Sequence, residues 1–157
     1  MKMQGIDAIT KEITRARTVY VCGNGGAAAL ASHFVCDLLR LTRVRAFSLV
    51  DNAPLMTMIA NDYGYEQVFS YQVERLAGAG DLLIAISTSG ESPNVLRAAV
   101  VAQSVGARVL AITGDAESSL TGPANSVYVI VGAVMAAEIE EQMQQALHAA
   151  CERLRVE

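Results

Sequence analysis

The sequence predicts an α/β protein built on a doubly wound parallel sheet of five strands, with helices on both faces. Five short runs are rich in Val, Ile or Leu and lack strict polar alternation, which is typical of strands buried on both faces. Segments with helical patterns separate these runs, and the connections between elements are short. The 157 residues contain no linker, repeat or low-complexity segment, so we expect a single domain, residues 1–157.

Local signals place each element in order. A short helix at about 5–16 precedes a core of about 17–157. Pro93 stands where the first turn of a helix tolerates proline, and Gly106 ends that helix before the next strand. The predicted strands are residues 18–22, 45–50, 81–86, 107–112 and 126–131. The predicted helices are residues 5–16, 27–41, 53–61, 66–77, 92–105 and 134–154.

Composition and charge argue against several kinds of partner. Apolar residues make up 52% of the chain and charged residues 18%, which favours a compact globule over a disordered chain. The formal charge of −4 predicts no nucleic-acid partner. The longest apolar stretch, residues 127–137, is too short to span a bilayer, so no membrane partner is expected.

The cysteines and the amino terminus bear on location. Cys22, Cys36 and Cys151 form an odd set without metal-ligand spacing, and each lies in an apolar element. They are predicted to be reduced core residues. The first residues lack the apolar segment of a signal peptide, so the expected location is cytoplasmic.

Two loops at predicted strand ends carry the first functional signal. Residues 86–92, Ile-Ser-Thr-Ser-Gly-Glu-Ser, follow an apolar strand and precede a helix. Hydroxyl groups beside the unpaired N–H groups of a helix N-terminus form a phosphate cradle. A second turn, Gly23-Asn-Gly-Gly26, opens another helix in the same way. Together they indicate a phosphorylated small molecule at the carboxyl edge of the sheet, although two ordinary tight turns remain the alternative.

The two histidines carry the second signal. His33 and Asp37 are four residues apart, so they share one face of a helix. Glu140, Gln144 and His148 form a ridge on the last helix. If the two helices face each other, their imidazoles and carboxylates suffice for a metal ion or for acid–base chemistry. Each histidine alone is more often an ordinary polar helix residue, and spacing does not show that the helices meet.

Five motifs carry a resemblance to a known family: Gly23-Asn-Gly-Gly26, Asn61-Asp-Tyr-Gly-Tyr65, Val68-Phe-Ser70, Gly80-Asp-Leu-Leu83 and Ile86-Ser-Thr-Ser-Gly90. They are similar to those of bacterial phosphoheptose isomerases, which are sugar-isomerase (SIS) domain enzymes with a flavodoxin-like sheet. These enzymes interconvert sedoheptulose 7-phosphate and an aldoheptose 7-phosphate. The resemblance covers about residues 10–155.

The resemblance implies roles for particular residues. It implies proton transfer by Asp37 and His148, and phosphate binding by Ser87, Thr88, Ser89 and Ser92. Further substrate contacts are implied for Asn24, Gly25, Gly26, Asp62 and Glu140. Some members bind zinc, which here implies one divalent ion held by His33, Asp37, Glu140 and His148. The family also implies a homo-oligomer, with a tetramer favoured.

Departures from the family pattern leave other functions open. Ala27 stands where a hydroxyl often follows the glycine turn, and Ala137-Glu138 replace an Asp-Arg pair. Asp37 stands where the family usually has glutamate, one methylene longer. The favoured function is the isomerisation of sedoheptulose 7-phosphate to D-glycero-D-manno-heptose 7-phosphate through an enediol. The alternatives are a non-catalytic SIS module that senses a sugar phosphate or binds a partner, and an isomerase of another sugar phosphate.

Overall fold

The computed structural model describes residues 5–133 and 135–156. Helices and strands alternate along the described chain, as the sequence predicts. The helices are α1 (Ile6–Thr14), α2 (Gly26–Leu41), α3 (Ala53–Tyr63), α4 (Ser70–Leu76), α5 (Pro93–Ser104) and α6 (Ala136–Leu154). The strands are β1 (Val19–Cys22), β2 (Ala46–Ser48), β3 (Leu82–Ser87), β4 (Arg108–Thr113) and β5 (Ser126–Val129). Short 3-10 turns lie at Tyr65–Gln67 and Ser119–Thr121.

The strands of the described residues form one parallel sheet of five in the order β2-β1-β3-β4-β5. The central pair, β1 and β3, is in register with Val19 opposite Leu82 and Cys22 opposite Ala85. The predicted fold class is confirmed. None of the described helices is long and apolar enough to cross a membrane.

Both faces of the sheet are covered, which explains why the strands lack polar alternation. Along β3, Leu82, Ile84 and Ile86 face the core formed with α1, α2 and α6. The alternating residues Leu83 and Ala85 face the second core, formed with α3, α4 and α5. Each such leucine or isoleucine is fully buried, which contributes about 1.5–3 kcal/mol relative to exposure.

The helices that follow the neighbouring strands β1 and β3 lie on opposite faces of the sheet. Helix α2, which follows β1, packs in the first core, whereas α5, which follows β3, packs in the second. The loops after β1 and β3 therefore diverge from neighbouring strand ends. In open α/β sheets this divergence leaves a crevice outside the carboxyl ends of the strands, where ligands bind.

The amino-terminal helix is fixed to the sheet by a buried ion pair. The carboxylate of Glu12 accepts a hydrogen bond from Arg108 Nε at 2.8 Å and another from Ser126 Oγ at 3.0 Å. Because Arg108 is on β4 and Ser126 on β5, α1 is held against that side of the sheet. The predicted short helix is thus part of the packed structure.

Several element boundaries differ from the prediction. The helix predicted at 66–77 is a 3-10 turn and α4, joined through Val68 and Phe69, which are both fully buried. Strand β2 is shorter than predicted because, as an edge strand, it pairs with β1 over three residues only. The last helix begins at Ala136, and residue 134, its predicted start, lies outside the described residues.

The prediction for the cysteines is partly wrong. Cys22 and Cys151 are buried, but Cys36 is exposed, because it lies on the side of α2 that faces away from the core. All three are free thiols. Burial raises the pKa of Cys22 and of Cys151 to about 12, so both thiols stay protonated. The cytoplasmic location stays a prediction.

Candidate active site

The glycine turn, residues 23–26, connects β1 to α2. Gly25 has φ of +55°, a conformation that favours glycine over residues with a side chain. A Cβ at Gly26 would overlap the carboxylate of Glu140, which lies directly against the first turn of α2. The positive end of this helix dipole therefore already faces an anion from the chain itself.

The turn is also connected to the neighbouring loop by a pair of amides. Asn24 and Asn94 exchange two side-chain hydrogen bonds of 2.8 Å each, and the Tyr65 hydroxyl donates to Asn24 Oδ1 at 3.0 Å. Asn94 is 2% exposed, whereas Tyr65 is exposed. Neither residue was predicted as a site residue. Asn94 lies two residues beyond the motif of residues 86–92, and Tyr65 is the last residue of the motif Asn61-Asp-Tyr-Gly-Tyr65.

The hydroxyl loop, residues 87–92, connects β3 to α5. The hydroxyl oxygens of Ser87 and Ser92 are 3.2 Å apart, and Gly90 N–H donates to Ser87 Oγ at 3.0 Å. Ser92 is the N-cap of α5, but its side chain makes no capping bond to the helix. The hydroxyl groups thus gather at the N-terminus of α5, which is the arrangement predicted for a phosphate cradle. Val95 N–H in the first turn of that helix already donates to Asn94 Oδ1 at 3.0 Å.

The loop after β4, residues 114–121, supports the hydroxyl loop from behind. Gly114 N–H donates to the Thr88 carbonyl at 2.9 Å, and Leu120 N–H donates to the Gly90 carbonyl at 3.1 Å. Gly90 has φ of +69°, and a Cβ there would overlap Ser118. A residue with a side chain therefore fits this position neither in conformation nor in space. We call residues 114–121 the bracing loop.

Helices α2 and α6 meet and bring the two histidines together. The Nε2 atoms of His33 and His148 are 2.9 Å apart. Asp37 Oδ2 lies 3.4 Å from each of these nitrogens. We call His33, Asp37 and His148 the imidazole cluster.

The surroundings hold the carboxylate of this cluster in place. Asp37 is 5% exposed, and its other oxygen, Oδ1, accepts a hydrogen bond from Arg40 at 2.9 Å. The two imidazole rings are half-exposed and line a cleft of about 440 Å³. The side-chain amide of Gln144 lies 2.6 Å from His148 Nε2. A small molecule entering the cleft therefore meets both imidazoles and the edge of a buried carboxylate.

The cluster fits a divalent ion by its chemistry and its spacing. Two imidazole nitrogens and one carboxylate oxygen are common zinc ligands, and these three groups lie within 4.8 Å of one another. Zinc–ligand distances of about 2.0–2.1 Å place the corners of a tetrahedron about 3.3 Å apart. The three separations of 2.9, 3.4 and 3.4 Å are close to that spacing.

Comparison with known proteins identifies the family. A family model for the SIS domain matches residues 3–114. The phosphoheptose isomerase of Thiobacillus denitrificans is 37% identical over 156 residues, which cover 95% of this chain and 79% of that protein. The chain belongs to the phosphoheptose isomerase family of SIS-domain proteins.

Solved structures agree with this assignment. The phosphoheptose isomerase of Francisella tularensis has a TM-score of 0.88 at 30% identity, covering 95% of this chain and 83% of that one. The phosphoheptose isomerase of Neisseria gonorrhoeae has a TM-score of 0.87 at 33% identity, covering 93% and 83%. The resemblance found in the sequence is confirmed.

Within this phosphoheptose isomerase fold, the predicted site residues do not all come together. Three of the four predicted metal ligands form the imidazole cluster, but Glu140 lies outside it, against Gly26. The eight residues from Glu140 to His148 span about 12 Å of helix, which explains the separation. Asp62 lies on α3, at the opposite face of the sheet from the cluster, and accepts a hydrogen bond from Asn61. That these residues bind metal or substrate stays a prediction.

Proposed function

We propose that this protein interconverts sedoheptulose 7-phosphate and D-glycero-D-manno-heptose 7-phosphate through an enediol, a reaction of heptose biosynthesis. The observation that carries the proposal is the imidazole cluster. A buried carboxylate and two half-exposed imidazoles converge in one cleft, within a chain of the phosphoheptose isomerase family. Converging proton acceptors and donors are what an aldose–ketose exchange requires.

The phosphate end of the substrate belongs in the hydroxyl loop. Both predicted loops have helix N-termini, but the carboxylate of Glu140 already lies against the glycine turn and would repel a phosphate there. The hydroxyl loop offers Ser87, Ser89 and Ser92 at the start of α5, where the Ser92 side chain makes no capping bond to the helix. Donors of this kind bind a dianion through charge-assisted hydrogen bonds.

The reacting end of the substrate belongs at the imidazole cluster. His33 lies seven residues after Gly26, which is about 10 Å along α2. In a ketose 7-phosphate the reacting C1 and C2 are at the opposite end of the sugar from the phosphate. The cluster therefore lies away from the loops at the strand ends, which suits a long substrate whose remote phosphate supplies binding energy for positioning.

Asp37 and His148 serve as the pair that moves protons. One of them takes a proton from the carbon next to the carbonyl, and the other donates a proton to the carbonyl oxygen, which gives the enediol. The aldose forms when a proton is returned to the former carbonyl carbon and the hydroxyl proton on the other reacting carbon is removed. Arg40 holds Asp37 Oδ1, which leaves Oδ2 facing the imidazoles and the cleft. His33 Nε2 is 2.9 Å from His148 Nε2, so one of these two nitrogens donates and the other accepts.

The proposal includes a divalent ion, with zinc as the candidate. His33, Asp37 and His148 would hold it, because they supply two imidazole nitrogens and a carboxylate oxygen. Such an ion would supply a Lewis acid that stabilises the developing oxyanion. Because it would occupy Asp37 Oδ2 and the two imidazole nitrogens, proton transfer with the ion bound would need ligand exchange or a bound water.

The proposal also includes a homo-oligomer, with a tetramer favoured. The apolar face of α6 packs inside the chain, because Met143 and Leu147 are fully buried, so it is not available to a second subunit. Other apolar side chains are exposed instead: Leu39 is 58% exposed and Phe47 51%, and both line one hollow between α2 and β2. Exposed apolar groups of this size favour a subunit contact. Light scattering that shows a stable monomer at micromolar concentration would exclude this part of the proposal.

The direct test is incubation of the purified protein with sedoheptulose 7-phosphate, after chelation and again after addition of zinc. We expect conversion to the aldose phosphate, weaker after chelation and restored by zinc. Conversion that is insensitive to chelation would exclude the metal while retaining the isomerase. Tight binding of the sugar phosphate without conversion would instead identify a non-catalytic sensor. Conversion of a different sugar phosphate would correct the substrate.

A further inference from the structure

The hydroxyl loop contains a carboxylate of its own. Glu91 lies between Gly90 and Ser92, in the middle of the proposed phosphate site. Its oxygens are both engaged by one residue of the bracing loop. Ser119 N–H donates to Glu91 Oε1 and Ser119 Oγ donates to Oε2, each at 2.7 Å.

Ser119 is well placed to hold that carboxylate. It is the first residue of the 3-10 turn Ser119–Thr121, so its N–H has no partner within the turn. The residues on either side of it, Ser118 and Leu120, are buried and fix the position of the turn. The two bonds lower the pKa of Glu91, the backbone bond most strongly, so the side chain is ionised at neutral pH.

A charged carboxylate in this loop has an electrostatic consequence. At about 4 Å, two unit charges interact by about 1 kcal/mol in water and by several times more near a protein surface. A phosphate dianion at the hydroxyl loop would therefore be repelled by a freely moving Glu91. Engaging both oxygens with Ser119 donors keeps the charge on the bracing loop.

We propose that Ser119 is a positioning residue that holds the Glu91 carboxylate out of the phosphate site, so that the loop binds a phosphorylated sugar despite its own negative charge. This inference rests on the proposed function for its substrate, but not for its test with phosphate alone. We call the two hydrogen bonds between Ser119 and Glu91 the clamp. The two residues are 28 positions apart, so no local pattern in the sequence indicates this contact.

The test compares three variants. Ser119→Pro removes both donors, and Ser118 already has the extended backbone, with ψ of 156°, that a following proline requires. Glu91→Gln removes the charge and keeps both contacts, because its amide accepts from the N–H and donates to the hydroxyl. The double variant carries a neutral side chain without the clamp. Glu117→Gln is the control, since it removes one exposed charge from the same bracing loop.

Two measurements are made on each variant: the Kd for inorganic phosphate by calorimetry, and KM and kcat with sedoheptulose 7-phosphate. We expect Ser119→Pro to raise Kd and KM about tenfold with kcat within about twofold, because the released Glu91 carboxylate repels the phosphate. Glu91→Gln and Glu117→Gln should stay near the parent protein. The double variant should recover most of the loss, because the repelling charge is gone.

Three outcomes would overturn the inference. The first is an unchanged phosphate Kd in Ser119→Pro. The second is a double variant with a Kd as high as that of Ser119→Pro, and the third is a Glu91→Gln variant whose own Kd is about tenfold above that of the parent protein. The second outcome would mean that the contact only orders the loop. If Ser119→Pro does not fold, Ser119→Ala removes one of the two donors and should give a smaller loss, again relieved by Glu91→Gln. If the variants show the expected order of phosphate Kd but the parent protein shows no isomerisation, the role of Ser119 stands and the proposed function is rejected.

Discussion

The hydroxyl loop and the imidazole cluster are built on opposite principles. In the hydroxyl loop the polar groups satisfy one another: Ser87 accepts from Gly90 and lies 3.2 Å from Ser92. In the imidazole cluster, two nitrogens of the same kind face each other at 2.9 Å beside a shared carboxylate oxygen. Such nitrogens need a proton or a cation between them. The comparison indicates that one part of the site is prepared for binding and the other for chemistry.

If this division holds, variants of the two parts should fail in different ways. Variants of the cluster should lose kcat and retain substrate affinity, whereas variants of the hydroxyl loop should lose affinity first.

The largest effect is expected for Asp37→Asn, which keeps the shape of the side chain and removes its proton-accepting ability. We expect kcat to fall by about 100-fold or more, with substrate affinity little changed. His148→Gln should behave similarly. The double variant should lose much less than the product of the two, because the residues act as a unit. Steady-state kinetics together with calorimetry checks this.

Glu152→Gln is the matched control, because Glu152 lines the same cleft but has Arg155 as its partner. It should retain most of the activity. Asp37→Glu restores the usual family side chain and should remain active. A fully active Asp37→Asn variant would remove the cluster from the mechanism.

The second effect is expected at the hydroxyl loop. Combining Ser87→Ala with Ser89→Ala removes two hydroxyls predicted to bind the phosphate. We expect affinity to fall by about 100-fold or more, at about 1.5–3 kcal/mol for each bond to a charged group. Calorimetry with the sugar phosphate measures the loss. Ser104→Ala, at the far end of α5, should leave affinity unchanged. Equal affinity in the double variant would mean that the phosphate binds elsewhere.

How much the sequence could predict differs between the same two parts. The hydroxyl loop was predictable because its contacts lie within a few residues, so a motif after a strand defines both the turn and the donors. The imidazole cluster joins residues 115 positions apart. Helical spacing gave the correct face of each helix, but contact between α2 and α6 depends on packing against the sheet. Only the family resemblance indicated it.

The other differences between sequence and structure have the same cause. The family resemblance grouped Glu140 with His148 as metal ligands, but Glu140 lies two turns away along α6, against Gly26. Asn94 was missed because nothing local indicates that it bonds Asn24 from another loop. The exposure of Cys36 likewise depends on how α2 docks.

The third effect is expected at the glycine turn, where Gly26 lies against Glu140. Gly26→Ala should cost about 0.5 kcal/mol, because the added methyl displaces only the far end of the flexible Glu140 side chain. In a background of Glu140→Ala the same change should be neutral or stabilising by about 0.5–1 kcal/mol, since alanine favours a helix. Denaturant unfolding measures both. If Gly26→Ala costs the same in either background, the contact with Glu140 is not the cause.

The smallest effect concerns the thiols. A maleimide reagent should label Cys36 in the native protein, because it is exposed, and should leave Cys22 and Cys151 unlabelled until unfolding. Mass spectrometry of the labelled peptides gives the answer. Native labelling of Cys151, which packs close to Asp37, would show that α6 does not stay docked as described.

One measurement tests the division between binding and chemistry most directly: the incorporation of solvent deuterium into sedoheptulose 7-phosphate, followed by NMR, in the parent protein and in Asp37→Asn. An enediol mechanism predicts that the parent protein brings deuterium from the solvent onto the reacting carbons. Asp37→Asn should bind the sugar phosphate with unchanged affinity and incorporate essentially none. Incorporation at the parent rate in Asp37→Asn, or loss of binding together with incorporation, would contradict the assignment of chemistry to the imidazole cluster and binding to the hydroxyl loop.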